Sequence, residues 1–271
     1  MPELPEVETT RRALARRLAF RRIVGLEQRR ADLRFLLPQD LAGRLAGRQL
    51  TGFARRAKYL QLMLDDGMAL LLHLGMSGRL LLDGPPAGPH EHLTFRFDDG
   101  TVLRFVDPRR FGMLDLWPQA TLAAHRWLAH LGLEPLDDAF DGPALKARLA
   151  GRQVALKTAI MDQRHVVGVG NIYASESLHR ARLSPRRLAG RLGPAGAGRL
   201  ATAIREVLLE AIDAGGSSLR DYVQSNGELG NFQRRFRVYD RAGQPCPACG
   251  RPIRRLVQGG RATYFCSGCQ R

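Results

Sequence analysis

The chain of 271 residues has little cysteine, little lysine and few acids. Cysteine occurs four times, all after residue 245, which excludes a disulfide scaffold for the chain as a whole. Lysine occurs only as Lys58, Lys146 and Lys157, against 39 arginines. A GC-rich genome accounts for such a bias, but a surviving lysine is still worth a functional check, because an amine can lose its proton and a guanidinium cannot. No apolar run reaches the roughly 18–20 residues that span a bilayer. The opening MPELPEVETT is acidic, holds two prolines and does not read as a signal peptide, so the expected location is the cytoplasm. Acids number 26 against 42 Lys plus Arg, a net charge of +16. That excess is uncommon for an enzyme of small metabolites and points to a polyanion, either nucleic acid or an anionic membrane.

The length and 44% hydrophobic content are enough for a core divided among two or three small units, and they exclude disorder and collagen-like structure. The charge is uneven. Residues 231–271 hold nine arginines and one acid, Asp240, for +8, which is half the whole excess. Such a segment reads as a phosphate-binding element.

A first helix is predicted from Pro5, with Pro at N1, acids in the first turn and arginines behind them, as the helix dipole favours. Val7, Thr10, Leu14 and Leu18 line one face. Residues 50–117 read as antiparallel strands. Asp66-Gly67 and Asp99-Gly100, each flanked by apolar runs, are strong hairpin signals, and several such strands suggest a sandwich or barrel. Beyond about residue 130 the pattern turns helical. The clearest helix is 196–214, with Leu200, Ala203, Ile204, Val207, Leu208, Ala211 and Ile212 on one stripe and Gly215-Gly216 as its stop. Residues 215–231 read as a loop.

Cys246, Cys249, Cys266 and Cys269 form C-x2-C-x16-C-x2-C, a strong signal for one tetrahedral zinc. Two disulfides or two redox pairs are the alternatives. A cytosolic chain disfavours the first, and the second lacks a thioredoxin-like pattern. Four thiolates leave no open position, so the zinc is expected to be structural. It would hold a hairpin presenting Arg254, Arg255 and Arg261.

The residue after Met1 is Pro2. If Met1 is removed, a secondary α-amine becomes the terminus. With a pKa of roughly 7.7–8.0 it is partly uncharged near neutrality and can attack an aldehyde-level carbon to give an iminium. Glu3 and Glu6 are close enough in sequence for acid–base work. By itself this is a weak signal, since many chains begin Met-Pro.

The blocks MPELPEVET, RRAKYL (55–60), HLGMSG (73–78), DPRRFG (107–112), VVGVGNIYASE (166–176) and GRATYFCSGCQ (260–270) together resemble the bacterial formamidopyrimidine-DNA glycosylases, in the family's motif order, from residue 2 to residue 270. The resemblance implies an α+β multidomain chain: a β-sandwich with a leading helix (1–130), a helix–two-turn–helix domain (131–230) with a lesion-capping loop at about 215–231, and a four-cysteine zinc-finger hairpin (237–271). It implies removal of 8-oxoguanine and ring-opened purines from double-stranded DNA by a monomer in the bacterial cytoplasm, associated with the nucleoid through DNA.

Carried over, Pro2 is the nucleophile at C1′, Glu3 the general acid that opens the sugar, and Glu6 a supporting residue. Lys58 contacts phosphate and takes part in β-elimination. Arg261 grips the phosphates flanking the lesion and assists δ-elimination. A base inside a duplex must be flipped out, and apolar wedges commonly fill the hole. Met76, Arg109 and Phe111 match the family's void-filling trio, although Met76 and Phe111 alone would read as core. Asn171 either caps its helix or binds phosphate, and the resemblance implies phosphate. His73, His90, Arg152, Lys157 and Tyr239 match DNA-contacting positions. Lys146 matches nothing and reads as a solvated helix residue. Ala262 stands where the family often has Ser or Arg.

Two other readings remain. The sister branch resembling endonuclease VIII uses the same Pro2–Glu3 chemistry on oxidised pyrimidines, but it typically opens MPEGPE and lacks a close DPRRFG match. A non-enzymatic zinc-ribbon DNA-binding protein would explain the charge and the cysteines, but not MPELPEVET or RRAKYL.

Overall fold

The computed structural model describes residues 2–86, 88–218, 224–225 and 227–271. The chain divides into two compact units, Met1–Ala129 with Ala214–Asn231, and His130–Asp213 with Phe232–Arg271.

The first unit opens with helix α1 (Leu4–Leu18), one residue earlier than the sequence pattern predicts, because Glu3 rather than Leu4 takes the N-cap. It continues as β1 (Ile23–Gln28), a short α2 (Leu41–Leu45), β2 (Leu50–Arg56), β3 (Tyr59–Leu64), β4 (Met68–His73), β5 (Arg79–Leu82), β6 (Glu91–Phe97), β7 (Val102–Val106) and β8 (Met113–Pro118). These strands make two antiparallel four-stranded sheets, ordered β1-β6-β7-β5 and β2-β3-β4-β8. Both predicted Asp-Gly turns are present. They join β3 to β4 and β6 to β7, with Gly67 and Gly100 at φ 79° and 82°. Along β3 the side chains alternate, and Leu60, Leu62 and Leu64 face inward. They share one core with Leu93, Phe95 and Phe97 of β6 and with Val7, Leu14 and Leu18 of α1, the arrangement of a sandwich with its leading helix. Helix α1 lies against β2 and β3.

The described residues of the 214–231 loop belong to this first unit rather than to the second. Ser217 N–H donates to Glu6 Oε1 at 2.8 Å, and Leu82 N–H donates to Ser225 O at 2.8 Å. Its stem is so tight that a Cβ on Gly230 would lie 2.3 Å from Gly216 O. Residues 219–223 and 226 of this expected lesion-capping loop lie outside the described residues.

The second unit contains α3 (Gly142–Leu149), α4 (Leu156–Met161), α5 (Asn171–Arg180), α6 (Pro194–Asp213) and the hairpin β9 (Arg254–Gln258) and β10 (Arg261–Phe265). The predicted stripe of α6 is buried along its whole length. Arg180 forms a two-pronged ion pair with Glu210 at 2.6 and 2.7 Å, which ties α5 to α6. Among the described residues no helix is long and apolar enough to cross a membrane.

Candidate active site and zinc centre

The head of α1 gathers three of the expected residues. Pro2 is buried just before the helix. Glu3 at the N-cap and Glu6 at N3 form a reciprocal capping box, in which Glu3 N–H donates to Glu6 Oε2 at 2.8 Å. Both carboxylates are buried, and Glu6 Oε1 holds the stem of the 214–231 loop through Ser217. Glu6 is therefore a clamp on two backbone segments, the first peptide after Pro2 and the loop.

Two turns of contacts tie this helix to Lys58. Glu8, also buried, takes Arg11 Nη2 at 2.8 Å, Arg12 Nε at 2.9 Å and, from β2, Arg55 Nε at 3.2 Å. Burial raises the Glu8 carboxyl, but hydrogen bonds from Arg11 and Arg12 and the charges of Arg11 and Arg55 outweigh it and the net shift is downward. Arg55 also donates from Nη1 to Ala57 O at 2.8 Å. Ala57, at φ 55°, forms the β2–β3 turn with Lys58, whose side chain is buried. His73 ends β4 beside that turn, its ring 4.8 Å from Tyr59. Burial, then the charges of Lys58 and Arg34, lowers the His73 pKa to about 3, so His73 is neutral at any working pH. Its Nδ1 accepts from Gly75 N–H at 2.9 Å, so the neutral ring carries its one proton on Nε2 and can donate it.

Met76, Arg109 and Phe111 sit on two loops that are locked together. Asp107 is fully buried. Its Oδ1 accepts from Ser77 Oγ at 2.7 Å and its Oδ2 from Gly112 N–H at 2.7 Å, while Ser77 Oγ accepts from Arg109 N–H at 3.2 Å. A Cβ on Gly75 would lie 2.4 Å from the backbone carbon of Phe111, so the two loops meet main chain to main chain. From this base Arg109 and Phe111 stand exposed, the guanidinium 5.0 Å from the ring centroid. Phe111 is thus not a core residue, and Met76 is only partly buried. His90 is exposed, and its carbonyl accepts from Asp107 N–H at 2.9 Å.

In the second unit, Gly168 (φ 77°) and Gly170 lead into α5. Gly170 is the N-cap and Asn171 the first helical residue, so Asn171 does not cap its helix. Lys157 is enclosed, with 1% of its surface exposed. Its Nζ donates to Asn171 Oδ1 at 2.5 Å, Thr263 Oγ1 at 2.8 Å and Ala262 O at 3.0 Å. Lys157 therefore joins α4, the head of α5 and the strand beside Arg261, and does not present its charge at the surface. An ammonium can only donate, so it holds the carbonyl end of the Asn171 amide and turns the amino end away from itself. Arg261, Arg254 and Arg255 are exposed on the hairpin, as the spacing predicts, and Arg152 is exposed after α3. Lys146 is a solvated residue of α3. Glu176 had no distinguishing mark in the sequence. It is buried on α5 and accepts the backbone N–H groups of Arg237, Val238 and Tyr239 at 3.0, 3.0 and 2.8 Å. Burial pushes its carboxyl up against the opposing effect of those three donors.

The four cysteines are unbridged, which removes the disulfide alternative. Their sulfurs all lie within 4.8 Å of one another, with Cys246–Cys269 at 3.8 Å and Cys249–Cys266 at 3.4 Å. A tetrahedron with Zn–S bonds of about 2.3 Å has edges of about 3.8 Å, so the cluster fits one zinc ion. Burial, then the neighbouring thiols, pushes Cys269 up to about 12, and a divalent cation supplies the charge that lets such a cluster ionise.

Three family models match the chain in order: the formamidopyrimidine-DNA glycosylase N-terminal domain over residues 1–114, its H2TH domain over 131–223, and the zinc finger found in FPG and IleRS over 243–271. The chain belongs to the formamidopyrimidine-DNA glycosylase family. A relative of that name from Acidiphilium cryptum is 53% identical over 276 residues, covering 100% of both chains. The crystal structure of the glycosylase of Thermus thermophilus matches with a TM-score of 0.89 and 43% identity over 99% of this chain and 98% of that one. A Lactococcus lactis formamidopyrimidine-DNA glycosylase mutant, solved with a Fapy-dG containing DNA, matches with a TM-score of 0.91 and 33% identity over 99% of each. The family's zinc finger corresponds here to Cys246, Cys249, Cys266 and Cys269.

Proposed function

We propose that this chain is a bifunctional DNA glycosylase and AP lyase of base excision repair that removes 8-oxoguanine and formamidopyrimidines from double-stranded DNA. The observation that carries the reading is the head of α1, where Pro2 precedes a buried Glu3–Glu6 capping box and a salt-bridged path leads through Glu8 and Arg55 to the turn of Lys58. With Met1 removed, the Pro2 amine attacks C1′ of the flipped nucleotide. A bond forms between the Pro2 nitrogen and C1′, the glycosidic bond from C1′ to the base nitrogen breaks, the base leaves with that bonding pair, and opening of the sugar gives an iminium. Glu3 supplies the proton that opens the sugar ring. β-Elimination, with Lys58 in the proton transfers, and δ-elimination, with Arg261 on the flanking phosphates, then leave a one-nucleotide gap. Each elimination expels a phosphate, and hydrolysis of the iminium returns the amine. Glu6 acts by holding the Glu3 amide and the 214–231 loop.

Met76, Arg109 and Phe111 fill the hole left by the base, and Arg109 hydrogen-bonds the orphaned partner, favouring cytosine. His73, His90, Arg152, Asn171 and Tyr239 contact the backbone, and Lys157 orients Asn171. The Lactococcus lactis relative is described in complex with Fapy-dG DNA, which supports the same ligand class here. The enzyme works as a monomer in the cytoplasm, at the chromosome. The test compares base release from 8-oxoguanine paired with cytosine and from thymine glycol paired with adenine. Preference for the purine lesion is expected. Preference for thymine glycol would move the chain to the oxidised-pyrimidine branch.

A further inference from the structure

Each cysteine knuckle has a tie to the helical part of the second unit. On the second knuckle the tie is Gln270. Its Oε1 accepts from Cys266 N–H at 2.8 Å and its Nε2 donates to Leu183 O at 2.9 Å, just beyond α5. On the first knuckle it is a side chain meeting a sulfur. His179, near the end of α5, is buried, and its Nε2 lies 3.4 Å from Cys246 Sγ, itself buried.

Three observations give that contact a direction. A zinc-bound thiolate has no proton and only accepts, so the hydrogen of the pair belongs to His179 Nε2. The other ring nitrogen, Nδ1, is a buried atom with no hydrogen-bond partner among the described residues, so among them the ring's polar engagement is with the sulfur. A neutral imidazole protonated at Nε2 leaves a bare lone pair at Nδ1 and no stranded N–H. Finally, His179 lies three residues after Glu176, on the same side of the helix, and Glu176 holds the backbone of residues 237–239. One face of α5 therefore grips the chain leading to the zinc ligands and then the first ligand itself.

We propose that His179 is an outer-sphere partner of the zinc centre, donating Nε2–H to the Cys246 thiolate and making α5 part of the metal site. The bond drains charge from the sulfur, fixes its direction and slows its release from the metal. Outer-sphere partners of this kind typically carry about 10–100-fold in metal affinity. Through α5, whose first residue is Asn171, the metal centre and a phosphate-binding position share one rigid helix.

The test uses the full zinc-loaded chain and needs no DNA. Zinc release into excess EDTA is followed with a chromophoric metal indicator. His179→Phe keeps a ring of similar size without a donor, and is expected to lose zinc roughly 10–100 times faster. In His179→Gln the side-chain Nε2 can reach the position of the imidazole Nε2, and it is expected to restore most of the retention. A second readout does not depend on release rates. In the cobalt-loaded protein, the thiolate-to-metal absorption of His179→Phe is expected at longer wavelength, because an unbonded thiolate is more electron-rich. Release and absorption both unchanged in His179→Phe would overturn the proposal. So would His179→Gln behaving like His179→Phe, since the ring would then act by packing alone.

Discussion

Glu3→Gln is expected to slow base release by about 10²–10⁴-fold in single-turnover experiments on 8-oxoguanine DNA, the usual contribution of a positioned general acid. The substitution is discriminating because it separates the helix cap that the structure shows from the acid role proposed for Glu3. As the N-cap of α1 it needs only an acceptor oxygen, and glutamine keeps one. As an acid it needs a proton to give, and an amide has none to offer at this strength. The melting temperature should therefore stay near that of the unaltered chain while the chemical step collapses. DNA affinity should hold, because glutamine keeps the shape of the side chain and its capping oxygen. Rates within tenfold of the unaltered chain would take Glu3 out of the chemistry and leave it as a helix cap.

Lys157→Met is expected to weaken DNA binding by about 10–100-fold, or roughly 1.4–2.8 kcal/mol, without touching DNA itself. The ammonium is enclosed, and removing it takes a donor away from Asn171 Oδ1, Thr263 Oγ1 and Ala262 O, of which Thr263 is buried. The Asn171 amide can then turn over, and the strand beginning at Arg261 loses its anchor. Salt dependence separates this from direct contact. Each phosphate neutralised by a cation adds about 0.9 to the slope of log K against log salt. Arg261→Ala should lower that slope by about one, whereas Lys157→Met should lower affinity at an unchanged slope. In a double-mutant cycle with Asn171→Ala, the losses should fall well short of additive. A slope reduced by one in Lys157→Met would show that the lysine reaches the phosphates after all.

The parts of the fold legible in the sequence are those with short-range signals. Asp66-Gly67 and Asp99-Gly100 mark their hairpins because a turn of that kind needs residues that tolerate positive φ. The α6 stripe and the paired CxxC knuckles are equally local. Strand β1 is not legible. It is an edge strand with a glycine and a bulge, and it lacks clean alternation. The acids of α1 are harder still. Glu6 and Glu8, which the sequence marks only as first-turn acids, are buried, and long-range partners such as Ser217 and Arg55 help to explain why. Asp107 with Ser77 and Lys157 with Thr263 join residues 30 and 106 positions apart, which no local pattern contains. The catalytic assignments of Pro2, Glu3, Lys58 and Arg261 come from the family resemblance, since a Met-Pro start alone is weak. Lys157 illustrates the remaining gap. Its type and motif suggest a surface cation, and its burial makes it a support for Asn171.

The most direct test of a Pro2 nucleophile is borohydride trapping on a duplex with 8-oxoguanine opposite cytosine. The comparison includes the chain with Met1 removed, Pro2→Gly, and a form extended by residues before Pro2. The unaltered chain should give a covalent protein–DNA adduct, Pro2→Gly a weaker one through its own terminal amine, and the extended form none. An adduct that persists in the extended form would contradict the N-terminal nucleophile and turn attention to Lys58. The absence of any adduct from a chain whose mass shows Met1 removed would contradict the covalent mechanism itself.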